Sequence, residues 1–149
     1  MDDKTLPLYF QLFNEIGIIE QLSRAQLEAE LPNGFLVSHF SVLNHLIRVR
    51  DGGTPLELAN AFQVPKTTMT HTLSGLEKAD LIVMKANPSD GRSKQVWITE
   101  SGRNFRDQAI QKLGENMGEF ARQFPAEFVE DMVPRLAEIR QFLDAARDK

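Results

Sequence analysis

The stretch Ala86–Thr99, ANPSDGRSKQVWIT, sets turn-forming and polar residues beside a strand-like run, in a chain whose other segments read as helix. LIVMK (81–85) precedes it and QVWIT (95–99) ends it, both rich in branched or aromatic side chains. Asn87, Pro88, Ser89, Asp90 and Gly91 are residues that turns recruit for positive φ or for local side-chain bonds, so a β-hairpin is expected here. A tip this polar buries little, and alone it is an ordinary exposed connection. Its neighbours decide what it is.

Upstream, TPLELANAF (54–62) carries a strong helix start: Thr54 can cap, Pro55 suits the first helical position, and Glu57 can reach back to close a capping box. The tripeptide QVP interrupts this short helix before KTTMTHTLSGLEKADLI (66–82) opens another. In that second piece Met69, Leu73 and Leu76 share one face, at about 100° per residue. Thr67, Thr70, His71, Ser74 and Lys78 fall on the polar face, flanked by Lys66 and Thr68, and Asp80 tolerates the left-handed conformation that helix ends often need. Two short helices joined by a tight turn and followed at once by a hairpin is the order of a winged helix-turn-helix, in which the second helix reads the major groove and the hairpin reaches the backbone or minor groove beside it. A wing that touches phosphates should be polar and carry cations, as Arg92 and Lys94 are.

Further out, apolar residues at 9, 12, 13, 16, 19 and 22 predict a helix from Leu8 to about Glu30, stopped by Leu31-Pro32-Asn33-Gly34. Phe40, Leu43, Leu46 and Ile47 predict a second, with Ser38 as its cap and Asp51-Gly52-Gly53 as its end. After the hairpin, Thr99 and Glu100 start a long helix expected to run, through Phe105, Ala109, Leu113, Met117, Phe120 and Phe124, to Pro125. A last helix carries Phe128, Met132, Leu136, Ile139, Leu143 and Ala146, with Pro134 expected to kink or restart it.

With 149 residues, 42% hydrophobic and 26% charged, the chain has room for one domain, or for two small lobes sharing helices, and is neither a disordered tail nor a membrane protein. Its first residues, MDDKTLPLYF, lack the basic-then-apolar layout of a signal peptide, so a cytoplasmic location is expected. Zero cysteines agrees with that and excludes disulfides, thiolate nucleophiles and thiol redox sensing. The net charge of −4 argues at first against a nucleic-acid partner, yet residues 35–105 hold 8 basic and 6 acidic side chains, which permits one. No metal-ligand spacing, P-loop, GxSxG or dinucleotide fingerprint is present, so neither catalysis nor a cofactor is expected. His39 and His45 do not share a helix face and read as packing or surface residues rather than metal ligands.

The runs LANAFQVPKTTMTHTLSGLEKADLI (58–82) and NPSDGRSKQVWITESGR (87–103) resemble the multiple-antibiotic-resistance regulator (MarR) family. Its hallmark is a recognition helix, an Asp-x-Arg wing, a strand and a Thr-x-x-Gly start to the next helix, matched here by Asp90, Arg92, Ile98, Thr99 and Gly102. The resemblance implies a mainly α fold with a small β-hairpin wing. Residues 35–105 would form the winged helix-turn-helix DNA-binding domain, and residues 1–34 and 106–149 a helical dimerisation region. It further implies a homodimeric transcription regulator, usually a repressor, binding double-stranded DNA at a pseudo-palindromic operator and released by a small ligand, with an aromatic or phenolic effector as the family-level expectation. The DNA-facing residues would be Lys66, Thr67, Thr68, Thr70, His71, Ser74, Arg92 and Lys94, with Asp90 orienting Arg92. The chain departs from the family at Pro65, where Ser or Asp often caps the recognition helix, at His71, where Arg is frequent, and at Asp80, where Gly is frequent. His71 can equally be a solvent-exposed histidine, and the threonines can be no more than tolerated helix residues. A winged-helix dimer acting as a protein-interaction or ligand-binding module, without DNA binding, is the alternative that the acidic total keeps open.

Overall fold

A helix leaves its first amides without partners, and the residue that satisfies them sets where it begins. In the computed structural model, which describes residues 1–148, the elements are α1 (Thr5–Glu30), α2 (Val37–Arg48), α3 (Pro55–Phe62), α4 (Lys66–Lys78), β1 (Ile82–Asn87), β2 (Asp90–Ile98), α5 (Glu100–Glu115), α6 (Gly118–Gln123) and α7 (Ala126–Arg147). They fall into two compact units, Met1–Leu113 and the residues from Gly114 onward. The capping box of α3 forms as expected: Glu57 N–H donates to Thr54 Oγ1 at 3.2 Å and Thr54 N–H donates to Glu57 Oε2 at 3.3 Å. Ser38 does not cap α2, because it already lies inside the first turn. Leu36 N–H donates instead to His39 Nδ1 at 2.9 Å, and Val37 N–H to Glu28 Oε1 of α1 at 3.2 Å.

The single helix expected from Thr99 to Pro125 is two. It breaks between Glu115 and Gly118, in the run GENMG (114–118), where Met117 N–H donates to Gly114 O at 3.1 Å. Two glycines four positions apart weaken the helix enough for a turn to replace it. Pro134 does not restart α7, which runs through it without a break. Within the second unit the rings of Phe120, Phe124 and Phe128 follow one another with centroids 4.9 and 5.4 Å apart.

The helix-turn-helix is built around one apolar cluster. Val42, Leu43 and Leu46 of α2, Leu58 and Ala59 of α3, Met69, Leu73 and Leu76 of α4, and Leu81, Ile82 and Val96 around the hairpin are all buried together. The turn between α3 and α4 passes through Gln63 in the left-handed region at φ 52°, and α4 leaves through Asp80 at φ 58°. β1 and β2 pair antiparallel in register from Ile82 opposite Ile98 to Ala86 opposite Lys94. The turn is shorter than the expected run from Asn87 to Gly91: Asn87 pairs with Asp90, so Pro88 and Ser89 alone make the tip, and Gly91, Arg92 and Ser93 bulge from the ladder. The linker after α2 adds to the sheet through Gly52 N–H to Val96 O at 2.9 Å and Val96 N–H to Gly53 O at 2.8 Å.

The end of the wing and the start of α5 close on each other at Thr99. Its N–H donates to Leu81 O at 3.1 Å, its hydroxyl donates to Asp80 O at 2.7 Å, and that same oxygen accepts Gly102 N–H at 3.0 Å as the cap of α5. Gly102 has to be glycine, since a Cβ there would collide with the Leu81 carbonyl oxygen and with Ile98. Gly102→Ala is therefore expected to destabilise the protein by about 1–3 kcal/mol in urea unfolding. Gly91→Ala, whose methyl would meet nothing within 4 Å, is expected to stay within about 0.5 kcal/mol of the parent. Equal effects from the two would show that the junction is looser than its geometry.

Candidate nucleic-acid interface

The burial of Met69, Leu73 and Leu76 turns the opposite face of α4 outward, and Lys66, Thr67, Thr68, Thr70 and His71 are all exposed on it, with Ser74 half-buried. Pro65 stands at the N-cap without a side-chain bond, so the first amides of α4 have no capping side chain. The threonine hydroxyls are not equivalent. Thr70 donates to Lys66 O at 2.9 Å and buried Thr72 to Thr68 O at 3.2 Å, each bonding back one turn. Thr70 thereby spends its proton inside the helix and offers outward its lone pairs and methyl group, which suit a donor on a base edge or the thymine methyl.

A cleft of about 610 Å³ lies between this helix start and the wing, and it gathers Lys66, Asp90, Arg92 and Lys94 of the expected residues. Thr67, Thr68, Thr70, His71 and Ser74 do not line it. Thr54, Pro55 and Leu56 from the start of α3, with Asn87 and Ser93 of the wing, do. Sequence reasoning missed these five as site residues, having read Thr54 and Pro55 only as a helix start and Asn87 only as turn chemistry; proximity to the wing is a tertiary fact with no local signal. Among the described residues, none of the ion pairs uses Lys66, Arg92 or Lys94. The cleft's cations are thus not matched by a bound carboxylate and are open to an anion.

Arg92 lies in the bulge at the start of β2, beyond the two-residue tip. Asp90 acts on it through the backbone: Arg92 N–H donates to Asp90 Oδ1 at 3.0 Å. Around it the wing closes on itself, with Ser89 N–H donating to Asn87 Oδ1 at 3.0 Å and Asn87 Nδ2 to Ser93 Oγ at 3.1 Å. The base of the wing is held by Asp51, whose Oδ1 accepts Ile98 N–H at 3.0 Å and whose Oδ2 lies 3.8 Å from Arg103 Nη2 of α5. His45 packs against Phe62 at 5.4 Å between ring centroids, and burial, then Arg48, lower its pKa from the usual histidine value. Among the described residues no group of His, Asp or Glu could hold a metal ion, and no helix is long and apolar enough to cross a membrane.

Residues 33–93 match the model of the MarR family. Solved structures of the same fold include a MarR-family transcriptional regulator from Rhodococcus sp. RHA1, 22% identical, with 89% of this chain and 94% of that one covered at a TM-score of 0.73. A mutant MarR from E. coli complexed with operator DNA is 24% identical, with 87% and 93% covered at 0.68. CouR from Rhodococcus jostii RHA1 bound to p-coumaroyl-CoA is 25% identical, with 83% and 87% covered at 0.65.

Removing the Asp90 acceptor should free the bulge without touching the core. Asp90→Ala is expected to speed amide hydrogen exchange at Arg92 while changing global stability by less than about 1 kcal/mol. Unchanged exchange at Arg92 would show that the bulge is held by other bonds.

Proposed function

We propose that the chain, whose residues 33–93 match the MarR-family model, is a sequence-specific DNA-binding transcription regulator of that family, a ligand-responsive repressor acting as a homodimer on a pseudo-palindromic operator. The observation that carries this reading is the cleft in which Lys66 from the start of α4 meets Arg92 and Lys94 from the wing, cations from two elements facing one anionic surface. α4 would lie in a major groove with Lys66, Thr67, Thr68, Thr70, His71 and Ser74 toward the bases and phosphates, while Arg92 and Lys94 track the backbone or the minor groove beside it. The operator complex of the E. coli relative supports the DNA partner, and the p-coumaroyl-CoA complex of the Rhodococcus jostii relative supports an aromatic effector.

Residues 35–105 would form the DNA-binding domain, and the helices in 1–34 and 106–149 the dimer interface. Support for the dimer comes from bare apolar surface. α1 buries no residue, although Leu8, Tyr9, Leu12, Phe13, Ile19 and Leu22 recur along it, and α7 likewise buries none of Phe128, Met132, Leu136 and Leu143. Surface of this kind on a folded chain marks an interface. Sedimentation at low micromolar concentration is expected to show a single dimeric species, and DNA selected from a random library to carry two-fold symmetric half-sites about 10 bp apart. A folded monomer would remove the dimer from the reading.

Arg92→Ala is expected to weaken specific binding by about 1–3 kcal/mol and to flatten the salt dependence by about one unit, with fold and dimer intact. His71→Ala is expected to relax preference at one base position of each half-site with little change in salt slope. Anisotropy titrations of selected DNA at several salt concentrations separate the two. If no competitor-resistant binding is seen at any salt, the chain is a ligand- or protein-binding winged-helix module instead.

A further inference from the structure

His39 sits where the first turn of α2 meets the recognition helix. Its ring is buried, its Nδ1 accepts Leu36 N–H at 2.9 Å, and its Nε2 lies 3.0 Å from where a Cβ on Gly75 of α4 would stand. Phe35 meets the ring edge-on at 5.5 Å and itself packs on Phe105 of α5 at 4.8 Å. The third helical position, from which a side chain reaches back to the cap amide, is usually held by Glu or Gln. Here it carries a ring that titrates. Only the neutral ring, with its lone pair on Nδ1, can accept the Leu36 amide. A proton on Nδ1 sets two donors face to face in a buried place, with no room on the Gly75 side to turn away.

We infer that neutral His39 is a positioning residue for the recognition helix, seating Gly75 of α4 against the capped first turn of α2, and that its protonation unseats α4 and lowers affinity for DNA. The inference rests on the DNA-binding reading above. The charged groups that come to this end of α2 are Glu28 of α1, which holds the neighbouring Val37 amide, and His71, one turn before Gly75 on α4. α5 brings the uncharged Phe105, and its Arg106 is engaged further along α2 with Asn44 at 3.1 and 3.0 Å. Burial, and after it His71, lower the His39 pKa from the usual histidine value, the Leu36 backbone opposing in part. With the folded value below the unfolded one, the stabilising effect is complete above the ordinary histidine range and is lost as pH falls through that range toward the folded value.

The sign makes the effect separable from bulk electrostatics. Acidification makes any histidine-bearing protein more positive and should tighten DNA binding, whereas unseating α4 loosens it. The test measures anisotropy of a labelled duplex, selected by the parent protein at pH 7.5, from pH 8 to pH 5.5 at constant ionic strength, for the parent, His39→Gln and His71→Gln. The parent is expected to lose affinity by up to about tenfold per pH unit once His39 takes its proton. His39→Gln, which supplies a cap acceptor that does not titrate, should bind like the parent at pH 8 and show no such loss. His71→Gln should keep the loss but begin it at higher pH, since a charge that opposes protonation is gone. Parent affinity that holds or rises on acidification, or a loss that persists in His39→Gln, overturns the inference and leaves DNA binding standing. If no variant binds DNA at any pH, the DNA-binding reading has failed. The free protein then decides on the cap: an imidazole ¹⁵N titration in which Leu36 amide protection disappears as His39 protonates supports it, and protection that does not follow His39 overturns it.

Discussion

Burial of Met69, Leu73 and Leu76 along one side of α4 is the constraint from which the rest of the winged lobe follows. A helix of 13 residues is marginal in water and takes its stability from what it packs against. Leu43 and Leu46 of α2, Leu58 and Ala59 of α3, and Ile82 and Val96 from the two strands all contribute to that packing, so helix-turn-helix and wing share one core. Turning α4 by a single residue, about 100°, would bring a leucine into water and a threonine into the core. The outward direction of Lys66, Thr67, Thr70 and His71 is thus set by leucines none of which faces a ligand.

The wing divides into a base that is locked and a tip that is closed on itself. At the base Asp51 ties the linker after α2 to Ile98 and α5, and the linker glycines extend the sheet by one short pairing with Val96. Around the tip and the bulge behind it, Asn87, Asp90 and Ser93 spend their polar atoms on one another and on local amides, which leaves the cationic side chains of Arg92 and Lys94 as what the hairpin can offer to another molecule. This division explains how a chain of net charge −4 can present a cationic cleft: placement by the fold, rather than total charge, decides the local field.

Outside the winged lobe the helices follow another logic. α1 and α7 are long, bear large apolar side chains and bury none of them within the protomer. α1 nevertheless touches the reading lobe chemically, because Glu28 accepts the Val37 amide beside the amide that His39 caps. The start of α2 is consequently a place where a long helix with a bare apolar face, a capping ring and the recognition helix all meet.

The sequence by itself determined the order of elements, the α3 capping box, the buried stripe of α4, the left-handed Asp80 and the existence of the hairpin, because each depends on residues within a turn or two of one another. It misjudged the α2 cap, the break at residues 116–117 and the depth of the turn, where two local preferences compete and the neighbours choose between them. For the candidate site, the cations were legible as residue types beside turn and helix signals. That Lys66 shares a cleft with Arg92 and Lys94, with Thr54 and Pro55 completing it, was decided only by the tertiary structure. So was the seating of His39 on Gly75, residues 36 positions apart in the chain. Periodicity reports which face of a helix turns inward; which other face it then meets depends on the shared core, and no local pattern encodes that.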